Sequence, residues 1–290
     1  MTFAKLLRNF AIGTALAAGV IAPQASHAGV VISVGFAPPV LPVYAQPVIP
    51  GDGYIWTPGY WAYGPDGSYW VPGVWVEPPT VGFLWTPAYW GWEGGLYVFH
   101  EGYWGPHIGF YGGVNYGFGY FGHGFEGGYW NGGHFFYNHA YANFGSVHIA
   151  NVYVHPVNVG VYNHVSFNGG PGGVVAHPMG GEIAAMHEQH MAPTANQMAF
   201  HDAAANNPAQ RFSANGGHPG TMAAASTREG FGDGAARSVA ASRPAEPVRP
   251  AGGAAPAAQH AQPAQTPQRE QPQTRATQRP ASHPPANSRR

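Results

Sequence analysis

One short aromatic unit recurs four times between residues 56 and 104, and nothing else in the chain limits its fold as strongly. The copies read Trp56-Thr57-Pro58-Gly59-Tyr60-Trp61, Trp70-Val71-Pro72-Gly73-Val74-Trp75, Trp85-Thr86-Pro87-Ala88-Tyr89-Trp90 and Phe99-His100-Glu101-Gly102-Tyr103-Trp104. Their leading and closing aromatics both advance by 14, 15 and 14 residues. A fixed period with a fixed interior means one supersecondary unit stacked on copies of itself. Proline and glycine recur too densely for two consecutive helical turns, which excludes helix here.

Proline presets the first central position of a type II turn, and glycine tolerates the positive φ of the second. Pro58-Gly59 and Pro72-Gly73 are therefore expected to reverse the chain, with Trp56 and Trp61 on opposite arms of a tight turn. Further reversals are expected at Gly64-Pro65-Asp66-Gly67, Glu77-Pro78-Pro79-Thr80 and Trp92-Glu93-Gly94-Gly95. The expected fold class is mainly β: an aromatic-rich antiparallel meander of short repeated hairpins, then one or two short helices and a disordered tail. Ala88 in the third copy, and Phe99 and Glu101 in the fourth, depart from the unit as terminal capping repeats do.

The flanks follow from local chemistry. Val30 to Val34 reads as an edge strand, and the spaced prolines at 38, 39, 42, 47 and 50 make residues 29–50 a Pro-rich, semi-rigid arm. The repeat domain is expected over 51–168, with repeats at about 54–104 and Gly/aromatic strands over 105–168. Within 105–145 glycine and aromatics alternate almost throughout. Such a stretch is either flexible low-complexity chain or strands in which glycine leaves room for a neighbouring ring; ordered strands are the reading adopted, since unpaired aromatic chain aggregates.

From 146 to 167 the pattern has period two, placing Val147, Ile149, Asn151, Tyr153 and His155 on one face. Two strands are expected there, parted by Pro156. Residues 169–211 read as linker and short helices: one over 181–191, and one opened by Thr194 with Gln197 as a capping box and closed by Asn207-Pro208. From 212 to 290 Ala, Pro, Gln, Ser and Arg dominate, a composition that cannot offset the entropy of ordering, and this part is expected to be disordered.

Residues 1–28 have the pattern of a signal peptide. Lys5 and Arg8 precede an apolar run from Phe10 to Ala22, and Ser26-His27-Ala28 offers small residues for cleavage before Gly29. The run is short for a membrane anchor, and no later segment reaches the ~20 apolar residues of a spanning helix. The chain has no cysteine, so disulfides, thiol nucleophiles and Cys-based zinc sites are all excluded. No Lys or Arg occurs between Asn9 and Gln210, whereas ten arginines follow. The expectation is an acidic body with a basic end suited to an anionic polymer, or simply to solubilising a linker.

Twelve histidines lie between His100 and His201. No pair has the one-face spacing of a zinc helix motif, so they read as polar-tipped aromatics and no metal is assigned; the alternative is a His-rich metal binder. No phosphate loop or nucleophile elbow occurs, and Glu93 and Glu101, the one conceivable glycosidase pair, occupy turn positions. The expectation is a non-enzyme without cofactor.

The tryptophans admit two readings. Trp56, Trp61, Trp70, Trp75, Trp85, Trp90 and Trp104 could project in a row as an aromatic platform for a glycan. They could equally form the core of a domain poor in Leu, Ile and Met, and this is the reading preferred.

The W-x-P-G-x-W units, Trp104-Gly105-Pro106-His107-Ile108-Gly109-Phe110-Tyr111 and Val165-Ser166-Phe167-Asn168-Gly169-Gly170-Pro171 together resemble the WXXGXW (YXWGXW) repeat proteins of bacteria. The resemblance implies an exported envelope protein, located in the periplasm, at the cell surface or secreted, and implies no activity or functional residue. The partners expected are an anionic envelope polymer or a glycan, with no specific nucleic acid and no transmembrane segment after signal removal.

Overall fold

The computed structural model describes residues 31–159 and 162–229. The expected signal peptide, and the tail from 230 onward, lie outside the described residues. β1 (Ser33–Val34) is followed by irregular chain to residue 54. Next come β2 (Ile55–Thr57), β3 (Tyr60–Gly64), β4 (Gly67–Val71) and β5 (Gly73–Val76). The same four-strand pattern returns as β6 (Leu84–Thr86), β7 (Tyr89–Glu93), β8 (Leu96–His100) and β9 (Tyr103–Gly105). β10 (Asn115–Gly117), β11 (Tyr120–Phe121), β12 (Gly128–Asn131), β13 (His134–Asn138), β14 (Val152–Tyr153) and β15 (Phe167–Asn168) follow. The described chain closes with α1 (Gly180–Met186), α2 (Ala195–Ala205), a 3-10 turn (Pro208–Gln210), α3 (Phe212–Asn215) and β16 (Ala223–Ala224). The protein is thus mostly strands in small, largely antiparallel sheets, with a few short helices.

The pairing of the repeats corrects the reversals expected at Pro58-Gly59 and Pro72-Gly73. Trp56 lies opposite Trp75 and Trp61 opposite Trp70, so two copies of the unit run antiparallel to one another along one long hairpin. The next two copies do the same, with Trp85 opposite Trp104 and Trp90 opposite Phe99. Pro58-Gly59 is consequently a break within an arm. The ladder stops at Thr57/Val74 and resumes at Tyr60/Val71, and Gly59 and Gly73 are not among the glycines with positive φ. Proline brings no N–H to the ladder, so it tolerates the gap. The chain reverses at two of the other expected turns, at Pro65-Asp66 between Gly64 and Gly67 and at Gly94-Gly95. The second of these has φ of +57° and +92° at its two central residues, the type I′ geometry that only glycine adopts without strain. The structural period is therefore 29 residues, from Trp56 to Trp85 and from Trp75 to Trp104.

β1 pairs with β8 at the edge of a sheet ordered β1-β8-β7-β15, as expected of an edge strand but only two residues long. The Gly/aromatic stretch is ordered, carrying β10 to β13. Gly112 shows why glycine is needed there: at φ +75°, a Cβ would sit 2.5 Å from the ring of Tyr89.

The two strands expected over 146–167 shrink to β14 and β15. Burial still alternates from Val147 to Val154, with Ile149 buried. The ladder is short because β13 offers β14 only Tyr137 and Asn138. The buried Asn138 side chain extends it artificially, donating to the His155 carbonyl at 2.7 Å and accepting from the His155 N–H at 3.0 Å.

α1 is shorter than expected, because the chain turns away so that Met191 can exchange backbone hydrogen bonds with Trp104. α2 begins where expected, the Thr194 hydroxyl accepting from the Gln197 N–H at 3.2 Å. The disorder expected from 212 is not found over 212–229. β16 adds to β5 in parallel, and Met222, Ala223 and Ala224 are buried. Ala223 and Ala224 pair with Gly73 and Val74, and Gln210 secures the segment through bonds to the Trp70 carbonyl and to both backbone groups of Thr221. Composition could not reveal this, because the ordering comes from a partner strand and not from apolar bulk.

Candidate functional site

All seven tryptophans considered as a platform are interior residues. Trp56, Trp61, Trp70, Trp75, Trp85, Trp90 and Trp104 retain between 0% and 5% of their accessible surface. The outward platform is therefore corrected to a core, because on each hairpin the indoles face one another. Trp56–Trp75, Trp61–Trp70 and Trp85–Trp104 have ring centroids 5.2–5.4 Å apart at 59–66°, the edge-on geometry that aromatic quadrupoles favour.

Burial also requires each indole N–H to find an acceptor. Trp61 donates to the Val40 carbonyl and Trp75 to the Pro47 carbonyl, so the Pro-rich arm, whose own backbone makes few ladder bonds, is tied down by the repeats. Trp70 donates to Met222, Trp90 to the carbonyl of Trp61 in the other hairpin, and Trp104 to the Gln197 side chain. The Trp56 N–H is buried with no acceptor among the described residues, ringed by Tyr44, Phe118 and Trp75. Tyr120, fully buried, sets its hydroxyl between the carbonyls of Trp56 and Trp85, equivalent positions of the two hairpins.

The motif glycines are seats for these rings. A Cβ at Gly59 would lie 2.3 Å from the Trp70 ring, at Gly73 2.5 Å from the Trp56 ring, and at Gly102 2.5 Å from the Trp85 ring. Each would also come within 2.9 Å of backbone on the facing strand. The fourth seat holds Ala88, and the aromatic at the corresponding diagonal position is Phe99 instead of tryptophan.

One cavity, of about 290 Å³, opens between this scaffold and α2. Pro58, Pro72 and Trp85 form its apolar wall, and Glu101, His201 and Asp202 its polar side. His201 is clamped by two phenols, Tyr60 at 2.9 Å on Nδ1 and Tyr69 at 2.8 Å on Nε2. A neutral imidazole has one N–H and one lone pair, so it donates to one tyrosine and accepts from the other. Burial holds the His201 pKa below its ordinary value, partly opposed by Asp202 and Glu101. Burial likewise raises the phenols, Tyr69 to about 12 and Tyr60 further, with neighbouring charge adding to both. The clamp is thus neutral and fastens α2 to the first hairpin. Sequence reading missed it, since Tyr60 and His201 are 141 residues apart.

The other histidines do not converge. His100 pairs with Glu93 at 2.7 Å, His107 with Glu188 at 2.9 Å and His123 with the buried Glu182 at 3.1 Å. The last two hold the α1 region to the Gly/aromatic part. Among the described residues no group of three or more His, Asp and Glu is placed to hold a metal ion. Glu93 and Glu101 lie apart in role, the first engaged by His100 and the second on the His201 cavity. No helix among the described residues is long and apolar enough to cross a membrane.

The geometry defines a protein built from paired aromatic β-hairpins with glycine-seated tryptophans. The chain carries two copies of the WXXGXW repeat, matched at residues 51–76 and 81–104. Each match spans one hairpin almost end to end, so the repeat matched in this chain is the hairpin and not the hexamer. No curated protein and no solved structure matches the chain.

Proposed function

We propose that this chain is a non-enzymatic, exported protein of the bacterial envelope in which the hairpin domain is a rigid module and the arginine-rich end attaches it to anionic envelope polymer. The observation that carries the reading is the partition of charge. Residues 31–229 contain ten acids against Arg211 and Arg228, and Arg211 is itself engaged by Asp66 at 2.8 Å. Residues 230–290 contain eight arginines against three acids. A fold that repels polyanions and an end that attracts them suit a tether, whose hold depends on counterion release and weakens with salt. The pattern of residues 1–28 supports export. The motif tryptophans have no face left for a ligand, which favours a scaffold role for the repeats themselves.

The test is envelope fractionation of the full chain and of a chain ending at residue 229, washed at low and high salt. The expected result is that the full chain stays with the envelope at low salt and is released at high salt, while the shortened chain is released at both. Equal retention of the two at low salt refutes the tether.

A further inference from the structure

A cleft of about 590 Å³ lies between the β12–β13 hairpin, the turn before β2, Val81 and the segment before β14. We propose that this cleft binds a neutral saccharide, with Trp130 as the stacking wall and Asp52, His134 and Asn151 as its hydroxyl-reading groups. The volume lies in the range of small-ligand clefts, ~300–1,000 Å³. The Trp130 ring is held in place, its indole N–H donating to the Phe83 carbonyl at 3.0 Å and the buried Phe135 packed edge-on at 5.2 Å. A ring so held presents a set apolar surface, which is what the C–H face of a pyranose stacks upon.

The polar groups complete the chemistry. The Asp52, His134 and Asn151 side chains make no hydrogen bond within the described residues, although each lines the cleft. A sugar hydroxyl both donates and accepts. A carboxylate accepts from two neighbouring hydroxyls, and a primary amide matches a donor and an acceptor at once. Three planar polar side chains around an aromatic wall therefore suit vicinal hydroxyls. Among the described residues the lining contains no Lys or Arg, and it includes the Asp52 carboxylate, so uronates and phosphorylated or sulfated sugars are repelled. The site also differs from the platform expected on the repeat: it uses Trp130, outside every copy of the motif. It acts independently of the arginine-rich end, so the envelope-wash experiment and the one below fail separately.

The experiment is a screen of the full chain on a glycan array, followed by titration calorimetry with cellotriose, maltotriose, mannotriose, N-acetylchitotriose and, as the anionic comparison, trigalacturonate. At least one neutral trisaccharide is expected to bind, and trigalacturonate is not. Asp52→Ala and Asn151→Ala are each expected to weaken binding about tenfold, as loss of a good polar contact does. Asp52 lies on an exposed turn, so its variant keeps the fold, checked by an unchanged urea midpoint. Glu93→Gln, at the His100 pair, is expected to bind as the parent does. Silence of the array and of all four neutral sugars overturns the assignment. So does binding that Asp52→Ala leaves undiminished, or equal binding of trigalacturonate.

Discussion

The two hairpins are one solution built twice with different residues, and the places where they differ show what the motif is for. In the first, Gly59 and Gly73 seat the rings of Trp70 and Trp56. In the second, Gly102 seats Trp85 in the same way, but Ala88 stands where Gly59 would be and Phe99 where Trp70 would be. The two changes are 11 residues apart in sequence yet occupy one diagonal across the ladder, because Trp90 lies opposite Phe99 as Trp61 lies opposite Trp70. A phenyl ring is shorter than an indole and leaves space for the alanine methyl. Two of the three departures read from sequence as terminal capping, Ala88 and Phe99, are therefore a matched pair.

The comparison breaks most decisively at Gly59. Gly59→Ala puts a methyl where the Trp70 ring and the backbone of Gly73 already lie, and interior overpacking of this kind costs about 3 kcal/mol. Urea unfolding should show that loss, and adding Trp70→Phe, which copies the second hairpin, should restore part of it. Simple additivity of the two substitutions would refute the coupling.

The reverse exchange is somewhat milder, since the second hairpin already spaces its arms for a methyl. Phe99→Trp alone should cost about 2 kcal/mol by crowding Ala88, and Ala88→Gly should relieve it in the double variant. If the double variant is no more stable than Phe99→Trp, the seat is not what limits position 99.

The smallest effect separates the hairpins by pH. Only the first carries the histidine clamp; the positions equivalent to Tyr60 and Tyr69 are Tyr89 and Val98, and Tyr89 instead stacks on His100 at 4.4 Å. Because folding lowers the His201 pKa beneath its unfolded value of 6.5, the unfolded chain binds more protons near that pH. Stability from this site is full above about pH 6.5 and is lost as pH falls toward the lower folded value. Thermal melts from about pH 8 to about pH 5 should therefore fall more steeply for the parent than for His201→Gln, the remaining histidines cancelling in the comparison. Parallel curves would show that His201 does not gain its proton on unfolding.

Much of this could be read from the chain, for reasons visible at particular residues. Thr194 and Gln197 cap α2 as expected, because a capping box is satisfied within four residues. The inward face of 147–154 was legible because strand side chains alternate whatever the strand's partner. The core role of the tryptophans followed from the scarcity of aliphatic residues. The turn reading of Pro58-Gly59 failed because the dipeptide satisfies two demands equally, a type II reversal and a ring seat, and only the opposite strand chooses between them. Trp130 gave no sequence signal at all, since the cleft it walls is assembled from four separate segments.

The sequence by itself thus determined the class of structure, the recurrence of the aromatic unit and the helix start, all of which rest on φ preferences, side-chain period and local capping. Tertiary structure alone decided which aromatic faces which, that the glycines are seats, and that residues 221–224 return to the core. The physical reason is range. The Trp70 indole finds its acceptor at Met222, 152 residues away, and a hydrogen bond across that separation leaves no trace in local composition.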